Sequence, residues 1–223
     1  MKAARILRQC DVVLYDRLVH PEIVALARPD AECIYVGKHQ GEQELRQEEI
    51  FDLIRDRALQ GKTVGRLKGG DSLVFGRGAE EWQLALAHGI RVELIPGISS
   101  AVSVPGLAGI PLTFRSVSQS FAVVTGHCRE GLEHAWEHYA RVDTLVILMG
   151  VKNRQTIASG LIAAGRPANQ AAAFVYRGSL QEEQTIVSTL AEVAAGKVEV
   201  RNPAVFVIGE VVNLRRVLKP SAV

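Results

Sequence analysis

What most constrains this chain is a recurrence: short β-prone runs, most of them apolar at nearly every position, are separated by stretches long enough for a helix. Val12–Tyr15 and residues 33–36, 63–67 and 92–95 fall in the first half. Phe121–Thr125, Thr144–Leu148, Ala171–Tyr176, residues 185–188 and Ala204–Ile208 fall in the second. A strand with one wet face alternates apolar and polar residues, whereas one that is apolar throughout has to be covered on both sides. The intervening segments supply the covers. Residues 47–60 place Ile50, Leu53, Ile54 and Ala58 on one helical stripe, and further helices are expected over 2–9, 21–27, 79–88, 155–164 and near 190–195. The fold class that follows is α/β, with a parallel sheet in the first half and, from the turn-rich spacing around Gly178 and Asn202-Pro203, a mixed sheet in the second. Pro105-Gly106 is expected to interrupt the helix that begins after Ser99-Ser100. Residues 111–115 read as an extended connector, so the domains are expected to be 1–112 and 113–223.

Size and charge exclude several classes. The chain has 223 residues, 48% of them apolar and 22% charged, with a net charge of +2 from scattered basic residues. That is a folded composition, and neither a nucleic-acid stripe nor a membrane patch is implied. No apolar run reaches the roughly 20 residues that a membrane helix needs, and Met1-Lys2-Ala3-Ala4-Arg5 lacks a signal peptide's apolar stretch, so a cytoplasmic protein is expected. Cys10, Cys33 and Cys128 are far apart and are read as small core residues. His134 and His138 have i,i+4 spacing but no third ligand, so no metal site is expected.

Chemistry concentrates in Arg66-Leu67-Lys68-Gly69-Gly70-Asp71-Ser72-Leu73-Val74-Phe75-Gly76-Arg77-Gly78, followed by Glu80 and Glu81. Paired glycines let backbone N–H groups approach a ligand, and a carboxylate beside them can hold an amine, a hydroxyl or a cation. Lys-Gly-Gly-Asp by itself is also an ordinary turn. Arg77 and Glu80, three apart on a loop entering a helix, favour the ligand reading because they can face one cleft. In parallel sheets ligands collect where strands end, which places Asp16, Lys38, Asp71 and Ser99-Ser100 on one rim. With Arg17, Arg77, Glu80 and Arg115 they form a cation-rich set suited to a ligand bearing several carboxylates, which guanidinium groups bind by paired hydrogen bonds.

Those residues carry a resemblance. Tyr15-Asp16-Arg17-Leu18-Val19, Gly37-Lys38, Gln47-Glu48-Glu49-Ile50, the Arg66–Asp71 and Val74–Gly78 segments, Pro96-Gly97-Ile98, Gly109-Ile110-Pro111-Leu112-Thr113 and Met149-Gly150 resemble the tetrapyrrole methylases. The similarity is greatest to the branch acting on uroporphyrinogen III. It implies two α/β domains with a cofactor cleft between them, a homodimer, S-adenosylmethionine as methyl donor, and methylation of uroporphyrinogen III at carbons 2 and 7. The alternatives are another precorrin methylase or a catalytically silent methylase-like binding protein. By matching position, the resemblance assigns Gly69, Gly70, Asp71, Val74, Ser99, Ser100, Met149, Gly178 and Ala204 to the cofactor. It makes Asp16 the proton acceptor and Lys38 the proton donor. Arg77, Glu80 and Arg115 grip the tetrapyrrole, and Arg77 also assists catalysis. Family members carry a strand and a Gly-x-Gly-Pro-Gly-Asp-Pro loop ahead of the first helix here; without them an unpaired sheet edge and apolar surface are expected. Ser72 and Gln43 stand where proline and histidine are usual.

Overall fold

The computed structural model describes residues 1–37, 47–127 and 135–220. Its contacts divide into two compact units, Met1–Ser99 and Ser100–Val223. Each is an α/β unit built on its own sheet.

In the first unit β1 (Val12–Tyr15), β2 (Glu32–Tyr35) and β3 (Val64–Leu67) form a parallel sheet in the order β2-β1-β3. The central strand is apolar on both faces, and the structure uses both. Val12 and Leu14 pack with Val36, Ile50 and the inward face of α3 (Gln47–Leu59). Val13 turns the other way, onto Leu7 of α1 (Lys2–Leu7) and Cys10, with Leu26, Ala27 and Leu67 around them. Side chains at successive strand positions point to opposite faces, so β1 at the centre of the sheet joins the two helical layers. Two further helices complete the unit, α2 (Pro21–Val24) and α4 (Gly78–Ala87).

Two expectations fail here. Residues 92–95 form no strand: they line a groove of about 700 Å³ together with residues 63–68, and among the described residues the outer edge of β3 has no ladder partner. Apolar character marks a segment that wants cover, but a strand also requires a neighbour to exchange hydrogen bonds with. Ile6, Ile54, Ala58 and Trp82, all partly exposed, give this groove an apolar lining. Cys33 is exposed while Cys10 is buried, because β2 is the other edge strand and its Cys33 faces outward. Cys128 lies outside the described residues.

The second unit opens with α5 (Ser100–Leu107) and continues with β4 (Phe121–Thr125), β5 (Thr144–Leu148), α6 (Arg154–Ala163), β6 (Ala171–Tyr176), β7 (Gln184–Thr189), α7 (Leu190–Ala194), β8 (Ala204–Ile208) and α8 (Arg215–Leu218). The sheet order is β4-β5-β8-β6-β7, parallel only between β4 and β5. This is the expected mixed sheet. One face packs on α5 and the segment after it, and the other packs on α6 and α7 through Leu145, Ile147, Phe174 and Phe206. Pro105 lies inside α5 rather than interrupting it; the helix ends two residues later, so the missing N–H removes one bond near its end. Ala101, Val104, Ala108, Ile110 and Leu112 are buried with Val146, Val175 and Val207. That packing puts the division between units at Ser99/Ser100, earlier in the chain than the connector at 111–115 had indicated.

Candidate functional site

In the first unit the parallel register brings three loops to one rim. Tyr15 pairs with both Tyr35 and Leu67, so Asp16, Val36 and Lys68 each leave the sheet at the same level. The loops then touch. A Cβ on Gly69 would lie 3.1 Å from the Leu18 Cβ, and one on Gly37 would lie 3.0 Å from the Arg17 amide nitrogen. Asp16 is half-buried and accepts the Leu18 N–H at 3.0 Å, turning the chain back over Gly69. Lys38, the residue after Gly37, lies outside the described residues.

The Gly69-Gly70-Asp71 loop is fixed at its far end by Asp71, whose two carboxylate oxygens accept the Leu73 amide at 2.8 Å and the Gly97 amide at 3.1 Å. Gly70 has a φ of 76°, a left-handed conformation that glycine adopts freely. Beyond it Val74 is exposed, and the chain passes through two further left-handed residues, Phe75 (φ 53°) and Arg77 (φ 59°). A non-glycine residue held there costs of order 1 kcal/mol, and such strain gathers at sites where a side chain must be aimed. Arg77 precedes α4 and donates twice to Glu80 Oε2, at 3.0 and 2.6 Å, with both side chains more than half exposed. That pairing raises the Arg77 pKa, lowers that of Glu80, and keeps the guanidinium a cation.

The start of the loop is held differently. Glu81 is buried with 8% of its side chain exposed; it accepts Lys68 Nζ at 3.0 and 3.1 Å, Arg66 Nε at 3.3 Å and Gln47 Nε2 at 2.6 Å. Burial, and then the neighbouring Arg66, push the Lys68 pKa down against the opposing pull of Glu81. This cluster escaped the motif reading, although its signal was present. Glu81 shares an inward helical stripe with Ala85, and Arg66 and Lys68 flank Leu67 at strand spacing, so a buried acid and its two bases could have been matched.

The second unit gathers Met149, Gly178 and Ala204 at one end of its sheet. Ala204 pairs with Tyr176, two residues before Gly178, and the register that sets Ile147 against Phe206 carries Met149 level with Ala204. Met149 has a φ of 57°, and Arg177 and Ser179 on either side of Gly178 are also left-handed. Gly178 lies against α5: a Cβ there would sit 2.5 Å from Val104 Cγ1, one helical turn along from Ser100. Arg115 is exposed at the tip of a tight loop closed by the Phe114–Ser118 hydrogen bonds and is not part of this group. Of the predicted residues, the first unit therefore holds Asp16, Gly69, Gly70, Asp71, Val74, Arg77, Glu80 and Ser99. The second holds Ser100, Arg115, Met149, Gly178 and Ala204. Among the described residues no cluster of three or more His, Cys, Asp or Glu side chains could hold a metal.

A glycine-rich loop at the carboxyl end of a parallel strand, closed by a carboxylate and followed by an exposed arginine, is the kind of feature on which α/β proteins hold polar organic ligands. The comparisons name the chain's family. The profile of the tetrapyrrole (corrin/porphyrin) methylases matches residues 1–194, and the chain belongs to that family. It is 41% identical over 219 residues to the uroporphyrinogen-III C-methyltransferase of Methanocaldococcus jannaschii, covering 96% of this chain and 90% of that protein. It is 46% identical to the siroheme synthase of Azotobacter vinelandii, of which it spans about half the length (47%). The crystal structure of uroporphyrin-III C-methyl transferase from Thermus thermophilus, complexed with S-adenyl homocysteine, superposes with a TM-score of 0.84 at 45% identity over 96% of this chain and 91% of that one.

Proposed function

We propose that this protein transfers methyl groups from S-adenosylmethionine to carbons 2 and 7 of uroporphyrinogen III, giving precorrin-2 by way of precorrin-1 on the routes to sirohaem, cobalamin and haem d1. The observation that carries the reading is the 41% identity over nine-tenths of a relative named for uroporphyrinogen-III methylation. The site chemistry agrees with it. Gly69 and Gly70 expose backbone, and each Asp71 oxygen, having accepted one N–H, keeps a lone pair for the cofactor.

The cofactor brings an electrophilic methyl group on a sulfonium, so the chain has to bind, align and move a proton. Gly69, Gly70, Asp71, Val74, Ser99, Ser100, Met149, Gly178 and Ala204 hold the donor. Asp16 accepts the proton lost from the methylated ring and Lys38 returns one. Arg77 and Arg115 anchor carboxylates of the macrocycle, and Glu80 keeps the Arg77 fork oriented. A guanidinium whose pKa is raised further by Glu80 is no base, so Arg77 aids the reaction as a fixed positive charge. A cytoplasmic homodimer belongs to the same reading. Exposed Phe114, Val117 and Phe121 offer apolar surface in support, and sedimentation checks it.

Incubation with methyl-labelled cofactor and freshly reduced uroporphyrinogen III tests the reaction. Label in a dimethylated product with a precorrin-2 spectrum is expected. Cofactor binding without label in the tetrapyrrole rejects this substrate, label at another ring position points to a different precorrin methylase, and no heat with S-adenosylhomocysteine identifies a silent relative.

A further inference from the structure

We propose that Glu81 is a positioning residue for cofactor binding: from the inward face of α4 it clamps Lys68, and so holds the start of the Gly69-Gly70-Asp71 loop in its binding geometry. The inference rests on the reading that this loop holds S-adenosylmethionine.

Two consecutive glycines have more conformational freedom to lose than any other pair, so a loop built on them binds tightly only when both ends are already fixed. The far end is fixed by Asp71 through Leu73 and Gly97. The near end is Lys68, whose own side chain is 9% exposed and whose ammonium lies on both oxygens of Glu81. Glu81 also draws in Arg66 from the same strand and Gln47 from α3, so one carboxylate ties the end of β3 to two helices. The other charges felt by this cluster are Asp16, which acts on Lys68, and Arg77 and Glu80 at the start of α4. Neither Glu81 nor Lys68 needs to touch the ligand: their contribution is a loop that no longer has to be ordered when the ligand arrives.

A purely structural ion pair would look similar in a contact map, and the two roles separate on mutation. Removing one partner of a buried pair leaves the other charge uncompensated, whereas removing both clears the defect. In the full-length chain, Glu81→Gln is expected to lower the thermal midpoint and to weaken S-adenosylhomocysteine binding by about tenfold, measured by calorimetry. The triple variant Glu81→Gln/Lys68→Met/Arg66→Met, which leaves no cation of the cluster without its acid, is expected to regain the midpoint while its affinity stays near that of the single variant. Affinity returning together with stability, or a folded Glu81→Gln that binds as tightly as the parent, overturns the proposal. Should the single variant fail to fold, the triple variant decides alone by whether a stable protein binds weakly or normally. A parent protein that gives no heat rejects the cofactor reading itself and the positioning role with it.

Discussion

The amide of Gly97 donates to Asp71 at 3.1 Å, and a Cβ on Gly97 would lie 2.0 Å from the carbonyl oxygen of Gly70. The segment after residues 92–95 therefore rests directly on the proposed cofactor loop, backbone against backbone, at a separation that only glycine allows. Gly97→Ala has no flexible side chain to displace and must move one of the two loops. We expect it to cost about 1–3 kcal/mol in stability and to weaken S-adenosylhomocysteine binding at least tenfold, on the scale of other overpacking substitutions. Denaturant unfolding and calorimetry on the same sample measure both; unchanged affinity would separate this contact from the site.

Arg77 gives the opposite pattern. Its ion pair with Glu80 is more than half exposed on both sides and contributes little to stability, while its backbone is held left-handed at φ 59°. Arg77→Gly relieves that strain and is expected to leave the fold unchanged or up to about 1 kcal/mol more stable. Turnover of uroporphyrinogen III should fall far more than cofactor affinity, since the lost guanidinium is assigned to the substrate. Steady-state kinetics beside cofactor titration read this out, and equal losses in both would remove Arg77 from the substrate side.

The strands that could be read from composition include both the interior strands of each sheet and edge strands such as β4 and β7. Phe121–Thr125, Thr144–Leu148, Ala171–Tyr176 and Ala204–Ile208 occur at the expected residues because an apolar run between helices has few other ways to be covered. Residues 92–95 are apolar at three of four positions and form no strand, because pairing depends on a neighbour that lies elsewhere in the chain. The site was legible to the same degree. Gly69, Gly70, Asp71 and Arg77 declare themselves through backbone freedom and charge at a strand end. The three-loop rim at Asp16, Gly37 and Gly69 depends on register, and the Glu81 clamp on which face of α4 turns inward. Single-sequence patterns carry the first kind of information well and the second only through stripes such as Glu81 with Ala85.

The second unit has a core pair that should dominate its stability. Phe174 and Phe206 are opposite each other on adjacent strands, both fully buried, with ring centroids 4.1 Å apart and planes 12° from parallel. Phe206→Ala removes a ring that α6 and α7 cannot collapse to replace. A loss of about 3–5 kcal/mol is expected from chemical denaturation. A loss below about 1 kcal/mol would mean that the sheet does not depend on this stack.

Acid sensitivity should be traceable to Asp143. Its Oδ2 accepts the amides of Gln119 and Ser120 at 2.9 and 3.0 Å and the Ser120 hydroxyl at 2.9 Å, tying the start of β5 to the segment before β4. These bonds, led by the Gln119 amide, lower its pKa below the ordinary value of 3.8. The sign follows from linkage: a carboxyl whose folded pKa lies below its unfolded value stabilises the fold at pH values above the unfolded one, and that stabilisation is lost as pH falls through the folded pKa. Asp143→Asn keeps the shape and one oxygen acceptor but cannot ionise. The parent should therefore be the more stable of the two at neutral pH, and the gap should narrow once pH drops below about 4, the ordinary aspartate range. Urea midpoints for both proteins across that interval test it; a gap that stays constant to pH 2 would assign the acid response to other carboxylates, with Asp30, held to about 2 by Arg28, the first to examine.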